Sequence, residues 1–191
     1  IGTIDEQRRQ VIGVLGGPFM GGMGARAGKD GIDCTDHDCS NAFNMPVEVS
    51  EAQLPLLIRR LELWPDSGGA GRTRGGLGYH LDVEWRRGEG MASVKRERHR
   101  FAPWGVFGGH SGPVGVTQLA SAGGEPAPIA PKSQVSLAPG DRLLFWTTGS
   151  GGFGSPLQRD PQLVLSDLLD GRITAKAARD EYRVEIREGA V

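Results

Sequence analysis

Long apolar runs, cysteine and an excess of either charge are all scarce in this chain. No stretch of its 191 residues approaches the roughly 18 consecutive apolar residues of a membrane-spanning helix. The formal net charge is −1, and no long run of one sign offers the basic surface that nucleic acids bind. The two cysteines, Cys34 and Cys39, are too few for a disulfide framework. We therefore expect a cytoplasmic protein that binds neither membranes nor nucleic acid.

Glycine and proline, by contrast, are abundant. The chain contains 31 glycines and 12 prolines, scattered rather than periodic. This composition favours many short elements joined by tight turns. With 38% hydrophobic residues, a chain of this length can bury a core as one domain.

The clearest strand covers residues 79–85, where two kinds of side chain alternate without a break. The odd-numbered positions are aliphatic or aromatic and the even-numbered ones are His, Asp and Glu, so the period of two predicts a half-buried strand. A similar alternation over residues 60–64 precedes it across a glycine-rich connection. With further apolar runs downstream, the sequence predicts a mainly β fold: a sandwich or distorted barrel of short, mostly antiparallel strands with a small α-helical C-terminus.

Two other apolar segments are expected to be buried. Residues 11–15 are apolar enough for a short buried strand. An aromatic corner follows residue 98, and we expect its rings to pack beneath a loop: Phe101, Trp104 and Phe107.

The C-terminal residues carry helix signals. Asp160 suits the cap of a helix with Pro161 at its first position, and a second short helix is expected after Thr174. The expected buried stripe of the first helix is Leu163, Val164 and Leu168. Val184 and Ile186 suggest a last strand.

Two glycine patterns invite a nucleotide-binding interpretation. Residues 22–27 fit the G-x-G-x-x-A pattern, and Gly28-Lys29 resembles part of a phosphate-binding loop. However, Pro18 separates the first pattern from the preceding apolar run, and Asp30 follows Lys29 where a phosphate loop needs Ser or Thr. We therefore expect any nucleotide to bind elsewhere.

The densest group of possible metal ligands lies in residues 33–44. Carboxylates, amides, an imidazole and two thiols occur together there, a mixture that suits zinc or manganese. The spacing matches no specific metal motif, and the alternative is a solvated Asp/Asn turn with two small buried cysteines. The sequence therefore assigns no metal ligand.

Glycine-rich loops supply further candidate ligand groups. Arg72 and Arg74 lie where glycines let a ligand approach, although a basic surface loop is the plainer explanation. Successive amides near Gly151 and Gly152 could form an anion-binding nest. The structural alternative is a crowded strand exit where no side chain fits.

The glycine-rich segment at residues 64–78, WPDSGGAGRTRGGLG, resembles a motif of the B subunits of the hydantoinase/oxoprolinase family. Four more stretches follow that family's order and extend the resemblance over nearly the whole chain: GGMGARAGKDG (21–31), PVEVSEAQLPLLIRRLEL (46–63), RHRFAPWGVFGG (98–109) and PGDRLLFWTTGSGGFGSPLQRDP (139–161). The family's B subunits are several times longer, so the resemblance implies a single C-terminal region of such a subunit. We expect loops over 1–50, a β-rich core over 51–158 and a helical C-terminus over 159–191.

The resemblance also implies an ATP-dependent enzyme made of two kinds of subunit. An A-type partner would bind ATP and Mg²⁺ and phosphorylate an amide or carbonyl oxygen, which makes that oxygen a good leaving group. The B part, with any divalent metal held upstream of this segment, would then hydrolyse a cyclic amide such as a hydantoin or oxoproline. Many members of the family carry a segment similar to HTHMTNTRNTPVE, and its two histidines correspond to aspartates in this chain. The resemblance suggests the following substrate-facing candidates: Asp36, His37, Asn41, Asn44 and Glu48.

Two alternatives remain open at this point. A subunit of an ATP-dependent ketone carboxylase, of the acetone or acetophenone type, carries the same resemblance. A non-catalytic β-rich domain that only docks a partner subunit is the second alternative. It fits the exposed polar faces, the glycine-rich loops and the lack of a nucleophile paired with a base in this segment. His99 and His110 lack the partner pattern of a catalytic triad and are expected to be surface or structural residues.

Overall fold

The computed structural model describes residues 1–4, 8–14, 21–35 and 45–185, which form two antiparallel sheets. The smaller sheet has the order β2-β1-β5-β8, with β1 Gly2–Ile4, β2 Gln10–Ile12, β5 Gly90–Lys95 and β8 Lys132–Leu137. The larger sheet has the order β3-β4-β9-β6-β7, with β3 Leu56–Leu63, β4 Tyr79–Trp85, β6 Val116–Ala120, β7 Ala127–Pro128 and β9 Arg142–Trp146. The mainly β prediction is confirmed, in its sandwich form rather than as a closed barrel.

The helices are short, and those at the C-terminal end begin where their capping residues predict. They are α1 Val47–Gln53, α2 Pro161–Leu169 and α3 Ala175–Asp180. The Asp160 carboxylate accepts a hydrogen bond of 2.9 Å from the Gln162 amide, and the Thr174 hydroxyl accepts one of 3.1 Å from the Ala177 amide. Both predicted caps are thus confirmed, because each side chain satisfies an amide that lacks a partner inside its helix.

The core lies between the two sheets and is centred on β4. Its residues Tyr79, Leu81, Val83 and Trp85 are all buried, together with Ala92 and Leu137 of the smaller sheet and Leu143 and Phe145 of β9. The predicted apolar face of β4 is therefore confirmed.

The opposite face of β4 is also buried, so the prediction of a half-buried strand is wrong. Asp82 is covered by a bidentate ion pair with Arg142 of β9. His80 stacks on Trp146 with ring centroids 4.2 Å apart, and its burial, only partly offset by Glu62, lowers its pKa. Large neighbours on adjacent strands cover these polar groups, and the alternating pattern of β4 alone cannot reveal them.

Several residues expected to be buried are exposed. The strand predicted over residues 11–15 is present in part as β2, with Val11 packed against the core. Its predicted burial is wrong for Ile12 and Val14, which are 71% and 75% exposed, and Leu15 lies outside the described residues. In α2, Leu163 is 47% exposed, and Asp167 is buried beside Val164 instead. Val184 follows α3 and is not in a strand; its amide donates to the carbonyl of Ala178 within that helix. Ile186 lies outside the described residues.

The aromatic corner also differs from its prediction. Phe101, Trp104 and Phe107 are 69%, 68% and 81% exposed instead of packed beneath a loop. Local composition predicted burial, but the loop turns these rings outward.

Candidate functional site

Three glycine-rich segments, residues 21–31, 67–78 and 149–154, interlock through their backbones at one end of the sandwich. The Gly76 amide donates to the Met23 carbonyl at 2.9 Å, and the Ser150 amide donates to the Gly76 carbonyl at 3.0 Å. A Cβ added at Gly22 would overlap the Gly76 carbonyl, and one added at Gly76 would overlap the Ile32 carbonyl. These glycines are therefore required because backbones meet where no side chain fits.

Arg74 lies beneath these loops and anchors residues 30–35 to them. Its side chain is 1% exposed and pairs with Asp33 at 3.2 Å. The same carboxylate accepts hydrogen bonds from the Leu77 amide at 2.8 Å and from Arg172 at 2.6 Å. Asp33 thus ties its segment to two distant parts of the chain.

Arg159 forms the second half of this buried network. Its guanidinium pairs with Asp30 at 2.8 Å and with Asp167 of α2 at 2.6 Å. Asp167 also lies 3.4 Å from Nε of Arg74, so one carboxylate joins both arginines. Burial alone would raise the pKa of Asp30, but hydrogen bonds and charge from Arg159 and Arg74 lower it. The network holds fixed charges and is structural.

The predicted loop ligands occupy different environments. Arg74 is buried in the network, whereas Arg72 is exposed and lies 5.9 Å from the centre of the Phe153 ring. The Gly152 amide donates to the His110 carbonyl at 3.0 Å, and the next two amides also donate to carbonyls. Gly151 and Gly152 therefore match the crowded strand exit, with the Gly152 amide already occupied.

The substrate-facing candidates are only partly described. Asp36, His37, Asn41 and Asn44 lie outside the described residues. Glu48 is exposed in the first turn of α1. The described residue that leads into this segment is fixed, because the Thr35 amide donates to the Gly21 carbonyl at 3.2 Å.

The glycine pattern at residues 21–31 is not arranged as a phosphate-binding loop. In segment 21–31, the amides of Gly22, Met23, Ala25 and Gly31 all donate to backbone carbonyls, so they are not directed at a phosphate. Within the described ranges, no group of three or more His, Cys, Asp or Glu side chains is placed to hold a metal ion. Burial, with a smaller contribution from the Asp33 carboxylate, raises the pKa of the Cys34 thiol to about 12.

A cleft of about 250 Å³ opens between the glycine-rich loops and α3. His110 and Glu181 meet at its edge, with 2.6 Å between Nδ1 and Oε2 and about half of each side chain exposed. Asp66 accepts two hydrogen bonds of 2.8 Å from Thr174 and so fixes the start of α3 beside the loop. The contact between His110 and Glu181 therefore lies among the residues that line the cleft.

Sequence reasoning missed this pair because its members are 71 residues apart. The sequence predicts that His110 is a surface or structural residue, and no local pattern points from it to Glu181. His99 is structural, since its ring bonds the Thr117 hydroxyl and the Glu97 carbonyl at 2.8 and 2.9 Å.

Comparison with known proteins supplies what the geometry alone does not. Residues 1–156 match the hydantoinase B/oxoprolinase family. This chain belongs to that family. The resemblance first seen in the glycine-rich segments is thereby confirmed.

Two family relatives share most of this chain. An uncharacterised protein of Methanocaldococcus jannaschii is 39% identical over 75% of the chain, which covers 25% of that protein. The caprolactamase subunit beta of Pseudomonas jessenii is 32% identical over 87% of the chain, which covers 30% of that subunit. The chain thus spans between a quarter and a third of the length of these relatives.

Solved structures share the fold. The ATP-dependent caprolactamase of P. jessenii matches 91% of this chain and 31% of its own with a TM-score of 0.75 and 30% identity. An acetone carboxylase matches 90% of this chain and 27% of its own with a TM-score of 0.77 and 22% identity, a likeness of fold alone. In the described part of this family member, no helix combines the length and apolar character needed to span a membrane.

Proposed function

We propose that this chain is the C-terminal region of the B-type component of an ATP-dependent cyclic-amide hydrolase. An A-type subunit phosphorylates the substrate, and the B-type component then opens the ring. The observation that carries this proposal is the 32% identity to a caprolactamase subunit beta over 87% of the chain. The fold match to the caprolactamase at 30% identity supports it.

Within that assembly, the chain shapes the site rather than carrying its phosphate or metal chemistry. The Arg74 and Arg159 network holds residues 21–35 rigidly against the glycine-rich loops, and these residues lead into the polar segment 36–44. Rigid support of this kind keeps substrate-positioning groups in a productive geometry. The substrate-facing candidates remain Asp36, His37, Asn41, Asn44 and Glu48, with ATP and Mg²⁺ bound by the A-type subunit.

The proposal predicts ATP-dependent ring opening by the complete B-type polypeptide together with its A-type subunit. Caprolactam, a hydantoin and 5-oxoproline would each be incubated with and without ATP and bicarbonate, and the linear product measured. We expect product only with ATP and no dependence on bicarbonate. A strict bicarbonate requirement with a ketone substrate would instead establish the carboxylase alternative.

The same assay separates a catalytic from a docking role. Asp36→Ala or Asn41→Ala should lower kcat/KM by more than about threefold, a barrier change above ~0.7 kcal/mol. Glu125→Ala, on an exposed loop, is the control and should leave activity unchanged. Full activity of an assembly lacking this region would show that it only docks a partner.

A further inference from the structure

Two buried polar atoms near the C-terminal helices have no hydrogen-bond partner among the described residues: Nε of Arg159 and the hydroxyl oxygen of Tyr182. The two residues are only 4% and 5% exposed, so both atoms are shielded from bulk solvent. Buried polar atoms of folded proteins are nearly always hydrogen-bonded, because an unpaired one loses the bond that it made with water in the unfolded chain. Both atoms therefore call for a partner from outside the described residues.

Arg159 already uses every other donor of its guanidinium group. Nη1 donates to Asp30 at 2.8 Å and to the Arg72 carbonyl at 3.3 Å. Nη2 donates to Asp30 at 2.8 Å and to Asp167 at 2.6 Å. A guanidinium group has five N–H donors in a rigid plane, and these bonds use the four at its tip. The plane is thereby fixed, so the fifth donor, Nε–H, cannot turn toward another acceptor.

Tyr182 lies beside this guanidinium group, with 5.9 Å between its ring centre and Cζ of Arg159. Burial raises the pKa of Tyr182 to about 12, so the hydroxyl keeps its proton at neutral pH. The charged groups that act on this pKa all belong to the buried network, which places the hydroxyl close to it: Arg159, Asp167, Arg74 and Asp30. Tyr182 also lines the cleft of about 250 Å³ between the loops and α3, so open solvent lies next to this residue.

The charges of the network decide which class of ligand suits these two atoms. The polar junction, as we call the network, joins three arginines to three aspartates: Arg74, Arg159, Arg172, Asp30, Asp33 and Asp167. Its formal charges cancel, so neither an anion nor a cation would meet a net opposite charge that offsets its loss of hydration. A neutral molecule that both donates and accepts hydrogen bonds is suited to the site, and water is the smallest of these.

We propose that the polar junction binds an internal water molecule, held by Nε of Arg159 and the hydroxyl of Tyr182. The water accepts a hydrogen bond from Arg159 and forms a second one with Tyr182. Oδ1 of Asp167, whose contact with Nε of Arg74 is long at 3.4 Å, is available to accept a third. Because Tyr182 follows α3, the water attaches the end of that helix to the glycine-rich loops. The site does not depend on the proposed function, since only residues of the junction form it.

The test is a crystal structure of the complete B-type polypeptide at a resolution that shows ordered water. We expect electron density for one water within about 3.2 Å of both Nε of Arg159 and the Tyr182 hydroxyl oxygen. Direct hydrogen bonds from these two atoms to protein groups would overturn the proposal, as would density near only one of them or near neither. Anomalous signal at the site after soaking in bromide would show that it takes an anion, and would also overturn it.

Two tyrosine variants provide a matched comparison in the same crystals. Tyr182→Phe removes the hydroxyl and keeps the ring, so the water should disappear. Tyr79→Phe removes the hydroxyl of the chain's other tyrosine, which lies in the core between the sheets, and should leave the water in place. A water that is unchanged in Tyr182→Phe would show that this hydroxyl does not hold it. Neither result depends on ring-opening activity, so the site and the proposed function stand or fall separately.

Discussion

At the residue scale, several glycines of this protein are required for their missing Cβ rather than for a special backbone conformation. Gly22, Gly31 and Gly76 have no positive φ, yet a Cβ at each would overlap backbone atoms of another part of the chain. Close approach of two backbones explains them, as it explains glycines where a strand passes near another chain. This role replaces the nucleotide-binding interpretation of residues 22–27.

The tripeptide Gly22-Met23-Gly24 gives a matched test of that role. Gly22→Ala would force a methyl group onto the Gly76 carbonyl, so we expect the free energy of unfolding to fall by about 3 kcal/mol or more. Gly24→Ala has open space around its Cβ and should change that free energy by less than about 0.5 kcal/mol. Urea unfolding of both variants measures the difference, and equal losses would disprove the close-approach explanation.

At the scale of elements, two buried side chains attach α2 to the rest of the protein: the apolar Val164 and the carboxylate of Asp167. A helix of nine residues is too short to be stable alone, so its position depends on tertiary contacts. Val164 is fully buried, and Asp167, 5% exposed, joins Arg74 and Arg159. The C-terminal helices are thereby fastened to the glycine-rich loops.

Asp167→Asn should loosen that attachment. Removing one charge leaves two buried guanidinium groups short of a partner, so we expect a loss of about 3–5 kcal/mol in the free energy of unfolding. Asp170→Asn, in the same segment but 55% exposed, breaks only a surface pair and should cost less than about 1 kcal/mol. Chemical unfolding monitored by circular dichroism makes the comparison, and a small loss for Asp167→Asn would show that the network contributes little.

At the scale of the whole molecule, the charge network connects parts of the chain that are far apart in sequence. Asp30 and Asp33 precede the core strands, Arg74 lies between β3 and β4, and Arg159 follows β9. The sandwich therefore has an apolar core between its sheets and a buried polar junction at the glycine-rich end. Of these two regions, the polar junction is the one built from charged groups, so its contribution to the free energy of unfolding should depend on pH more than that of the apolar core.

Acid should weaken the polar junction. The pKa of Asp30 in the folded chain is lowered from its ordinary 3.8, so the unfolded chain binds that proton more readily. The stabilisation is complete above the unfolded pKa and is lost as the pH falls through the folded one. We expect the free energy of unfolding to decline below about pH 4.

A pH series of urea unfolding curves measures this decline. In Asp30→Asn, the free energy of unfolding should fall less steeply with pH below about pH 4. Glu125→Gln, on an exposed loop, should leave that dependence unchanged. Identical slopes in Asp30→Asn and the unaltered chain would rule out Asp30 as the group responsible.

The sequence by itself determined the local features of this protein. Alternation marked β4, Asp160 and Thr174 marked the helix starts, and the ordered glycine-rich segments marked the family, because each of these signals lies within a few neighbouring residues. Tertiary structure alone decided that Arg74 is buried, that His110 meets Glu181 across 71 residues, and that Phe101, Trp104 and Phe107 face solvent. Burial and ion pairing depend on which distant segments meet, and no local pattern contains that information.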